Sequence, residues 1–199
     1  YSTEKTRLNI NGYYMRYKDQ LVLTGALNDV GSPIRTNIGE SYRLGLEADF
    51  SLQLTERWNI RPNFTVSDNK NVDFIKDETL ENLGDTNIAF SPSIIAGNIL
   101  TFKPIQSLQI SWLSKFVDKQ YMNNIDSQES KLPDYFVNDF NITYELIPKS
   151  IFKSIIFTGL VNNFLDKKYV SNGADYGGGY VYYYPQAGIN FLAGLTFMF

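Results

Sequence analysis

The sequence contains no cysteine and no histidine among its 199 residues. Without cysteine, disulfide bonds, thiolate metal sites and cysteine nucleophiles are excluded. Without histidine, these residues cannot form a histidine-based catalytic triad, a histidine-ligated zinc site or an imidazole proton shuttle. Because most common catalytic and metal-binding arrangements need one of the two residue types, we expect no enzyme, no cofactor and no metal site.

Long apolar runs and an excess of basic charge are also missing. No stretch of about 18 apolar residues occurs, which excludes a helical membrane span. The net charge is -3, from 18 Lys and Arg against 21 Asp and Glu, and this balance disfavours a nucleic-acid partner. The mean hydropathy of -0.24 would suit a soluble protein. It is equally compatible with a membrane β-barrel, in which only every second strand residue meets lipid.

What the sequence does have is alternation, which is most regular in its last twelve residues, Gly188 to Phe199. Alternate residues of a strand point to opposite faces. One face of this segment is wholly apolar and the other is small or mixed. A tilted strand crosses a bilayer with roughly 9 to 11 residues, so the segment has the length of a membrane strand. The apolar row is Ile189, Phe191, Ala193, Leu195, Phe197 and Phe199.

The same alternation recurs along the chain and predicts eight strands. The clearest is Ser41–Thr55, where seven apolar residues from Tyr42 to Leu54 alternate with polar residues that include Arg43, Glu47 and Asp49. A helix would scatter these charges around its circumference. Pro62 lacks the backbone N–H for a ladder, so we expect a local defect in the third strand. The eight predicted strands are Arg7–Lys18, Ser41–Thr55, Trp58–Ser67, Ser93–Lys103, 108–117, 134–146, Ser154–Phe164 and Gly188–Phe199.

The connections between these strands alternate between long and short. In membrane barrels the periplasmic turns are short and the outward loops are long. With Phe199 at the periplasmic end, every short turn falls on the periplasmic side and every long loop outside. A soluble β-sandwich also shows alternating strands and is the alternative. The long connections are 19–39, 68–90, 123–133 and 166–187, and the short ones are 55–57, 104–107 and 148–152.

Charged residues occupy the polar faces of the predicted strands at period-two spacing. We expect them to face the lumen of a barrel, solvated or paired with a plug. An acid–base pair of the glycosidase kind is the alternative. The residues concerned are Arg43, Glu47, Asp49, Arg61, Lys115, Asp139 and Glu145.

The last long connection is rich in tyrosine and glycine. Tyrosines offer flat apolar area with a hydroxyl at the rim, which suits sugars, aromatic chelates or haem-like rings. We expect ligand contact here, with Tyr176 and Tyr180 as the better candidates. In the alternative, the tyrosines continue a strand above the membrane and one row packs on neighbouring loops. The candidates are Tyr176, Tyr180, Tyr182, Tyr183 and Tyr184.

A second loop, Asp68–Glu78, is rich in oxygen ligands and could hold calcium, but it lacks the spacing of a known calcium loop.

Four segments carry a family resemblance: Tyr17–Asn37, Ser41–Phe50, Gly159–Gly173 and Tyr182–Phe199, with VNNFLDKKY and PQAGINFLAGLTF as the most specific parts. They resemble the C-terminal part of TonB-dependent outer-membrane receptors of the kind common in Bacteroidetes. The last strand also resembles the signal read by the barrel-assembly machinery, with Gly194, Phe197 and Phe199 in the expected relation. It departs from that signal at Leu192, where a polar residue is usual.

The resemblance implies an all-β antiparallel transmembrane barrel of about 22 strands, of which residues 1–199 would supply the last eight. It also implies an N-terminal plug and a TonB-binding segment, neither of which is in this chain. The implied function is import of a scarce nutrient across the cell outer membrane, with the C-terminus in the periplasm. The implied partners are membrane lipid, the TonB complex, the assembly machinery, the nutrient and a surface lipoprotein.

Two other functions stay open on the sequence. The chain could form a complete eight-stranded barrel with a structural or adhesive role, since eight strands can close and their side chains just fill the interior. In that case the first strand, near Ile10, would pair with the last, near Leu195. An outer-membrane hydrolase would need a base other than histidine. The substrate stays open between iron chelate, vitamin, glycan and peptide.

Overall fold

The structure, a computed structural model, describes residues 1–76, 79–148, 151–177 and 179–199. All eight predicted strands are present, and together they form one antiparallel sheet in chain order. They are β1 (Thr6–Leu27), β2 (Pro33–Gln53), β3 (Trp58–Val72), β4 (Ile94–Ile105), β5 (Leu108–Val117), β6 (Tyr135–Leu146), β7 (Ser154–Asn162) and β8 (Asn190–Met198).

The sheet is open at both ends. β1 pairs with β2, and β8 pairs with β7 from Ser154↔Met198 to Asn162↔Asn190. Within the described residues β1 and β8 do not pair with each other. The closure required for a complete eight-stranded barrel is therefore not found, and the two edge strands leave unpaired backbone groups that further strands could bind.

The two faces of the sheet differ as the alternation predicts. One row of paired residues runs across five strands, from Leu100 through Trp112, Phe140 and Val161 to Phe191, and every member is apolar. Phe191 is 85% exposed and Leu195 is 56% exposed. Soluble monomers rarely expose an apolar patch of more than a few hundred Å². An apolar face that continues over eight strands is typical of a wall that meets lipid.

Short turns join the strands at one end, which we call the short-turn end. The β2–β3 turn is held by Thr55, whose hydroxyl oxygen accepts hydrogen bonds from the backbone N–H groups of Arg57 (3.2 Å) and Trp58 (3.1 Å). Only Gln106 and Ser107 separate β4 from β5. The third short turn includes residues 149–150, which lie outside the described residues.

At the opposite, long-loop end, the first connection differs from the prediction. The expected loop 19–39 is wrong, because β1 and β2 continue as a hairpin whose tip spans residues 28–32. The tip is an Asx-type turn, in which the Asn28 side-chain oxygen accepts from Val30 N–H (3.1 Å) and Ser32 N–H (2.8 Å). Gly31 supplies the positive φ of 79° that this turn requires.

A left-handed residue separates the two halves of this hairpin. Asp19 has a φ of 54°, a conformation that aspartate tolerates better than most residues. On the short-turn side of Asp19, Tyr14 is exposed on the apolar face. Beyond Asp19, Val22, Thr24 and Ala26 are buried. One face of the hairpin thus changes from exposure to burial beyond Asp19, while Leu21 on the other face stays exposed.

The third strand is longer than expected and shows the predicted defect. β3 reaches Val72 rather than Ser67 because it pairs with Glu40 of β2 and with a short strand, Thr86–Asn87. Opposite Pro62, the β2–β3 pairing is interrupted between Asp49↔Asn63 and Leu52↔Ile60. The missing N–H of proline accounts for the break.

The remaining elements are short and lie in the long connections. A 3₁₀ helix, Gln128–Ser130, is capped by Ser127, which accepts a hydrogen bond from the Ser130 N–H. No helix in the described part of the chain is both long and apolar enough to span a membrane. The short strand pairs are Ile75–Lys76 with Glu81–Asn82, Gln120–Tyr121 with Lys131–Leu132, and Val170–Asp175 with Val181–Pro185.

Candidate functional site: the loop cluster

The four long connections meet at one end of the sheet and form a single packed unit. We call it the loop cluster, defined as the hairpin residues 20–38 and the connections 73–93, 118–134 and 163–189. Its first core is apolar: Phe74, 2% exposed, packs with Val22 and Ile38 of the hairpin, with Leu83 of its own connection and with Ile125 of the connection 118–134. Side chains from three connections thus form one core around Phe74.

A second core lies beside it, where Val117, Tyr135 and Val137 pack against Tyr169. The Tyr135 and Tyr169 rings are tilted with centroids 4.7 Å apart. Burial, and next the negative charge of Asp139, raise the pKa of the Tyr169 hydroxyl. A neutral phenol suits this packing, because an ionised one would lose its hydration.

Buried amides join the connections to each other. Asn71 is fully buried, and its side-chain N–H₂ donates to Thr86 Oγ1 (3.2 Å) and Asn124 Oδ1 (3.3 Å). Asn124 Oδ1 also accepts from the Ala89 N–H (2.9 Å), and its own N–H₂ donates to the Leu23 carbonyl (3.0 Å), 101 residues away. Two asparagines therefore link β3, two loops and the hairpin through buried and partly buried hydrogen bonds.

Asn163 joins the last connection to β6 and to itself through hydrogen bonds. Its N–H donates to Asp139 Oδ1 (2.7 Å), and its side-chain N–H₂ donates to the carbonyls of Lys167 (2.8 Å) and Ala187 (3.1 Å). Asp166, in the same VNNFLDKKY segment, accepts from the Ile189 N–H (2.9 Å). This segment thus joins the two ends of the last connection. These hydrogen bonds explain the presence of Asn163 and Asp166 in it.

The candidate tyrosines lie on the hairpin formed by Val170–Asp175 and Val181–Pro185. Tyr183 lies on the face that packs on the neighbouring connection, and its hydroxyl donates to the Glu129 carbonyl. Gly173, its partner across the hairpin, is required there because a Cβ would clash with the backbone carbonyl of Tyr182 and would lie 2.5 Å from the Met122 sulfur. The Tyr183 hydroxyl is thus tied to the neighbouring connection, while its side chain stays 43% exposed.

The other tyrosines face solvent. Tyr182 and Tyr184 occupy the opposite face of the hairpin, and the Tyr176 ring meets Tyr182 edge-on with centroids 5.9 Å apart. Tyr180, at the tip, is 61% exposed. All five candidate tyrosines are thus exposed. They differ in that Tyr183 is hydrogen-bonded to a neighbouring connection, whereas the rings of Tyr176 and Tyr182 contact each other.

The predicted lumen residues lie on the polar face, but they are not equivalent. Arg43 donates to Ser91 Oγ (3.0 Å) and Glu47 accepts from the Asn11 side chain (3.3 Å). Asp139 anchors Asn163, as described above. Asp49 and Arg61 line a hollow of about 250 Å³, and Lys115 and Asp139 line another of about 270 Å³. Glu145 is half-buried and pairs with Ile156 of β7.

The acidic loop Asp68–Glu78 is only partly described, since Asp77 and Glu78 lie outside the described residues. Asp68 accepts from the Tyr42 hydroxyl (2.7 Å), and the Asp73 N–H donates to Asp85 (3.1 Å). Across the described ranges, no three Asp or Glu side chains are grouped so as to hold a metal ion.

The residues that carry the predicted assembly signal lie on the free edge strand and its end. Gly194 pairs with Thr158, and Phe197 pairs with Ile155. The Phe152 ring contacts the rings of Phe197 (centroids 5.3 Å apart) and Phe199 (5.1 Å).

Comparison with known proteins identifies this architecture. A model of the family described as TonB dependent receptor-like, beta-barrel matches residues 1–164. The chain belongs to this family. Members of the family are receptors and transporters of the outer membrane. The matched residues end before β8. Comparison with curated proteins finds no match.

Solved structures of TonB-dependent receptors have the same fold. The siderophore receptor PiuA from Acinetobacter baumannii is 17% identical with a TM-score of 0.73, over 97% of this chain and 26% of that chain. The ferric yersiniabactin receptor FyuA from Yersinia pestis is 16% identical with a TM-score of 0.73, over 98% and 27%. The copper transporter OprC is 20% identical with a TM-score of 0.73, over 100% and 29%. The chain thus spans between a quarter and a third of these structures.

Proposed function

We propose that the chain is the C-terminal part of an outer-membrane receptor that imports a scarce nutrient into the periplasm. The observation that carries this proposal is the open eight-stranded wall, apolar on one face and polar on the other, in a chain of the TonB-dependent receptor family. Both sheet edges would pair with further strands, giving a barrel of about 22 strands. A plug and a TonB-binding segment would come from the part of the protein outside these residues.

The orientation follows from the connections. The loop cluster would lie outside the cell and the short turns, with the C-terminus, in the periplasm. The polar face would line the lumen, where its charged residues would meet the plug. The edge strand β8 would carry the signal for the barrel-assembly machinery, and a surface lipoprotein could cover the cluster.

The exposed tyrosines would contact the nutrient. The Tyr183 hydroxyl ties this hairpin to the neighbouring connection, and the hairpin exposes Tyr176, Tyr180, Tyr182 and Tyr184 to solvent. Rings held in this way lose little conformational freedom when a flat or ring-bearing ligand binds. A rigid support below exposed aromatic groups is the arrangement expected of a capture site.

Uptake measurements test the proposal. A strain that lacks the full-length protein is compared with its parent for uptake of an iron-55 siderophore chelate, cobalt-57 cobalamin and a carbon-14 oligosaccharide. We expect one of the three to be taken up only when both the protein and TonB are present. Unchanged uptake of all three would contradict the nutrient classes proposed here. Replacing Tyr176 and Tyr180 by alanine should weaken the uptake that is lost, whereas the control Tyr14→Ala, on the wall, should leave it unchanged.

A further inference from the structure

Two asparagines of the chain are followed directly by glycine. Asn11–Gly12 lies in β1 of the wall, and Asn172–Gly173 lies in the last connection of the loop cluster. The side-chain carbonyl of an asparagine in such a pair is open to attack by the backbone nitrogen of the next residue, because glycine has no side chain to block the approach. The two pairs are equivalent in sequence, but the structure gives them different surroundings.

In the wall, the asparagine side chain is held by the neighbouring strand. The Asn11 N–H₂ donates to the Glu47 carboxylate of β2 (3.3 Å). Asn11 and Gly12 also lie in an unbroken stretch of the β1–β2 ladder, in which Asn11 pairs with Glu47. A reaction between Asn11 and Gly12 would have to break this hydrogen bond and disturb the ladder, so the fold protects the wall pair.

In the last connection, the two reacting groups are already in contact. The Gly173 N–H donates to Asn172 Oδ1 (2.8 Å). The carbon that the nitrogen would attack is one carbonyl bond, about 1.2 Å, behind that oxygen. Asn172 is exposed, so water reaches it, and no hydrogen bond within the described residues holds its N–H₂ elsewhere.

The backbone beside Asn172 is not held by a regular ladder. Val170 pairs with Pro185, whereas Asn172 pairs with Tyr184, so Ser171 is an extra residue in its strand. Such a bulge interrupts the ladder locally, and Pro185 has no N–H to donate. The chain at Asn172 therefore has more freedom to close a ring than the chain at Asn11.

We propose that Asn172 is a site of spontaneous deamidation in the folded protein. The Gly173 nitrogen, after losing its proton to hydroxide, forms a bond to the side-chain carbonyl carbon of Asn172. The bond from that carbon to the side-chain nitrogen breaks, and the nitrogen takes a proton from water and leaves as ammonia. Water then opens the cyclic succinimide at either of its two carbonyls, which gives aspartate or isoaspartate. In sum, one water is consumed and one ammonia is released, without oxidation or reduction.

The two products should affect the hairpin differently. Aspartate keeps an acceptor for the Gly173 N–H and adds a negative charge on the face that carries Tyr184. Isoaspartate adds a methylene group to the main chain next to Gly173, which has no spare room beside Met122, 1% exposed. Isoaspartate should therefore loosen the packing of the last connection on the connection 118–134. Any effect on nutrient capture rests on the proposed function, whereas the reaction does not.

Ageing of the purified full-length protein in detergent at mildly alkaline pH tests the proposal. Peptide mass spectrometry should find deamidation at Asn172 several-fold faster than at Asn11, and isoaspartyl methyltransferase should label the Asn172 peptide. In denaturant, where the fold no longer separates the two pairs, their rates should become similar. Equal rates in the folded protein, no reaction at Asn172, or a preference that persists unchanged in denaturant would overturn the proposal.

Proteolysis of the last connection tests the difference between the products. Aged wild-type protein should be cut faster than fresh protein, whereas aged Asn172→Gln should not, since its longer side chain closes the ring much more slowly. Fresh Asn172→Asp should be cut at the rate of fresh wild type. If Asn172→Asp were cut as fast as the aged protein, charge rather than the added methylene would loosen the hairpin, and the assigned effect of isoaspartate would be wrong. Because no measurement here needs uptake, a failed uptake experiment would leave these results standing.

Discussion

Large apolar side chains are exposed in the wall and buried in the loop cluster. In the wall, large apolar residues such as Phe191 and Leu195 stay more than half exposed, whereas in the cluster Phe74 and Met122 are 2% and 1% exposed. The chain therefore exposes apolar side chains in one region and buries them in the other. The change occurs within single strands, as near Asp19 in β1. The difference indicates two surroundings, hydrocarbon along the wall and water around the cluster.

The two regions also differ in how far their contacts reach along the chain. Each wall strand is held by the ladder to the wall strands before and after it in the chain. In the cluster, Asn124 bonds a carbonyl 101 residues away, and Asn123 donates to Asp175, 52 residues away (2.7 Å). A substitution in the wall should therefore act locally, whereas one in the cluster should loosen several connections together.

The largest effect is expected from Phe74→Ala. Removing a fully buried phenylalanine costs about 3–5 kcal/mol of local stability. Amides of the hairpin and of both neighbouring loops should then exchange hydrogen much faster, by roughly two orders of magnitude or more. Phe64→Ala, on the apolar face of the wall, is the matched control and should leave loop exchange unchanged. Equal exchange in the two variants would remove the distinction between the regions.

A charge on the apolar face should come next. Leu46→Arg places a guanidinium in the lipid-facing row, at a cost of about 2–4 kcal/mol near the middle of a bilayer. Thr65→Arg, on the polar face, should cost far less. Denaturant unfolding of the full-length protein in lipid vesicles measures both. If Thr65→Arg proved the more damaging, the assignment of the two faces would be reversed.

Asn124→Leu tests the amide links. The change leaves the half-buried Ala89 N–H and Leu23 carbonyl without their partner, whereas the Asn71 N–H₂ keeps its bond to Thr86. A group stranded in this way costs about 1–3 kcal/mol when it is shielded from water. Hydrogen exchange should rise in the hairpin and in loop 73–93 together. The control Asn11→Leu removes an exposed wall amide and should have little effect. An increase confined to residues next to Asn124 would contradict the shared unit.

The smallest effect is expected from Tyr183→Phe, which deletes the hydrogen bond to Glu129 at a cost of about 0.5–1.5 kcal/mol. Proteolysis of the last connection should become faster. Tyr184→Phe, on the opposite face of the hairpin, should leave the rate unchanged. The same rate for both variants would show that the Tyr183 hydrogen bond does not hold the last connection.

Period-two alternation predicted the eight strands because each of them lies between an apolar and a polar surrounding. Alternation did not predict the strands within residues 19–39. There the loop cluster buries Val22 and Ile38, so the apolar residues no longer alternate, and the turn-type residues suggest a loop. The pairs Asn71–Asn124 and Asn163–Ala187 could not be found from sequence. They join residues far apart in the chain, and an uncharged asparagine gives no signal of its buried partner.

Single cysteines provide the most direct test of the central claim that the sheet separates hydrocarbon from a polar interior. The chain has no cysteine of its own, so each introduced label reports one position. Labels on the apolar row should respond to a lipid-soluble quencher, and labels on the polar row to a water-soluble one. Water-soluble quenching of the apolar row, or a protein that stays dissolved without detergent, would contradict the account. The apolar positions are Leu46, Phe64, Ile142 and Leu195, and their polar neighbours are Glu47, Thr65, Thr143 and Thr196.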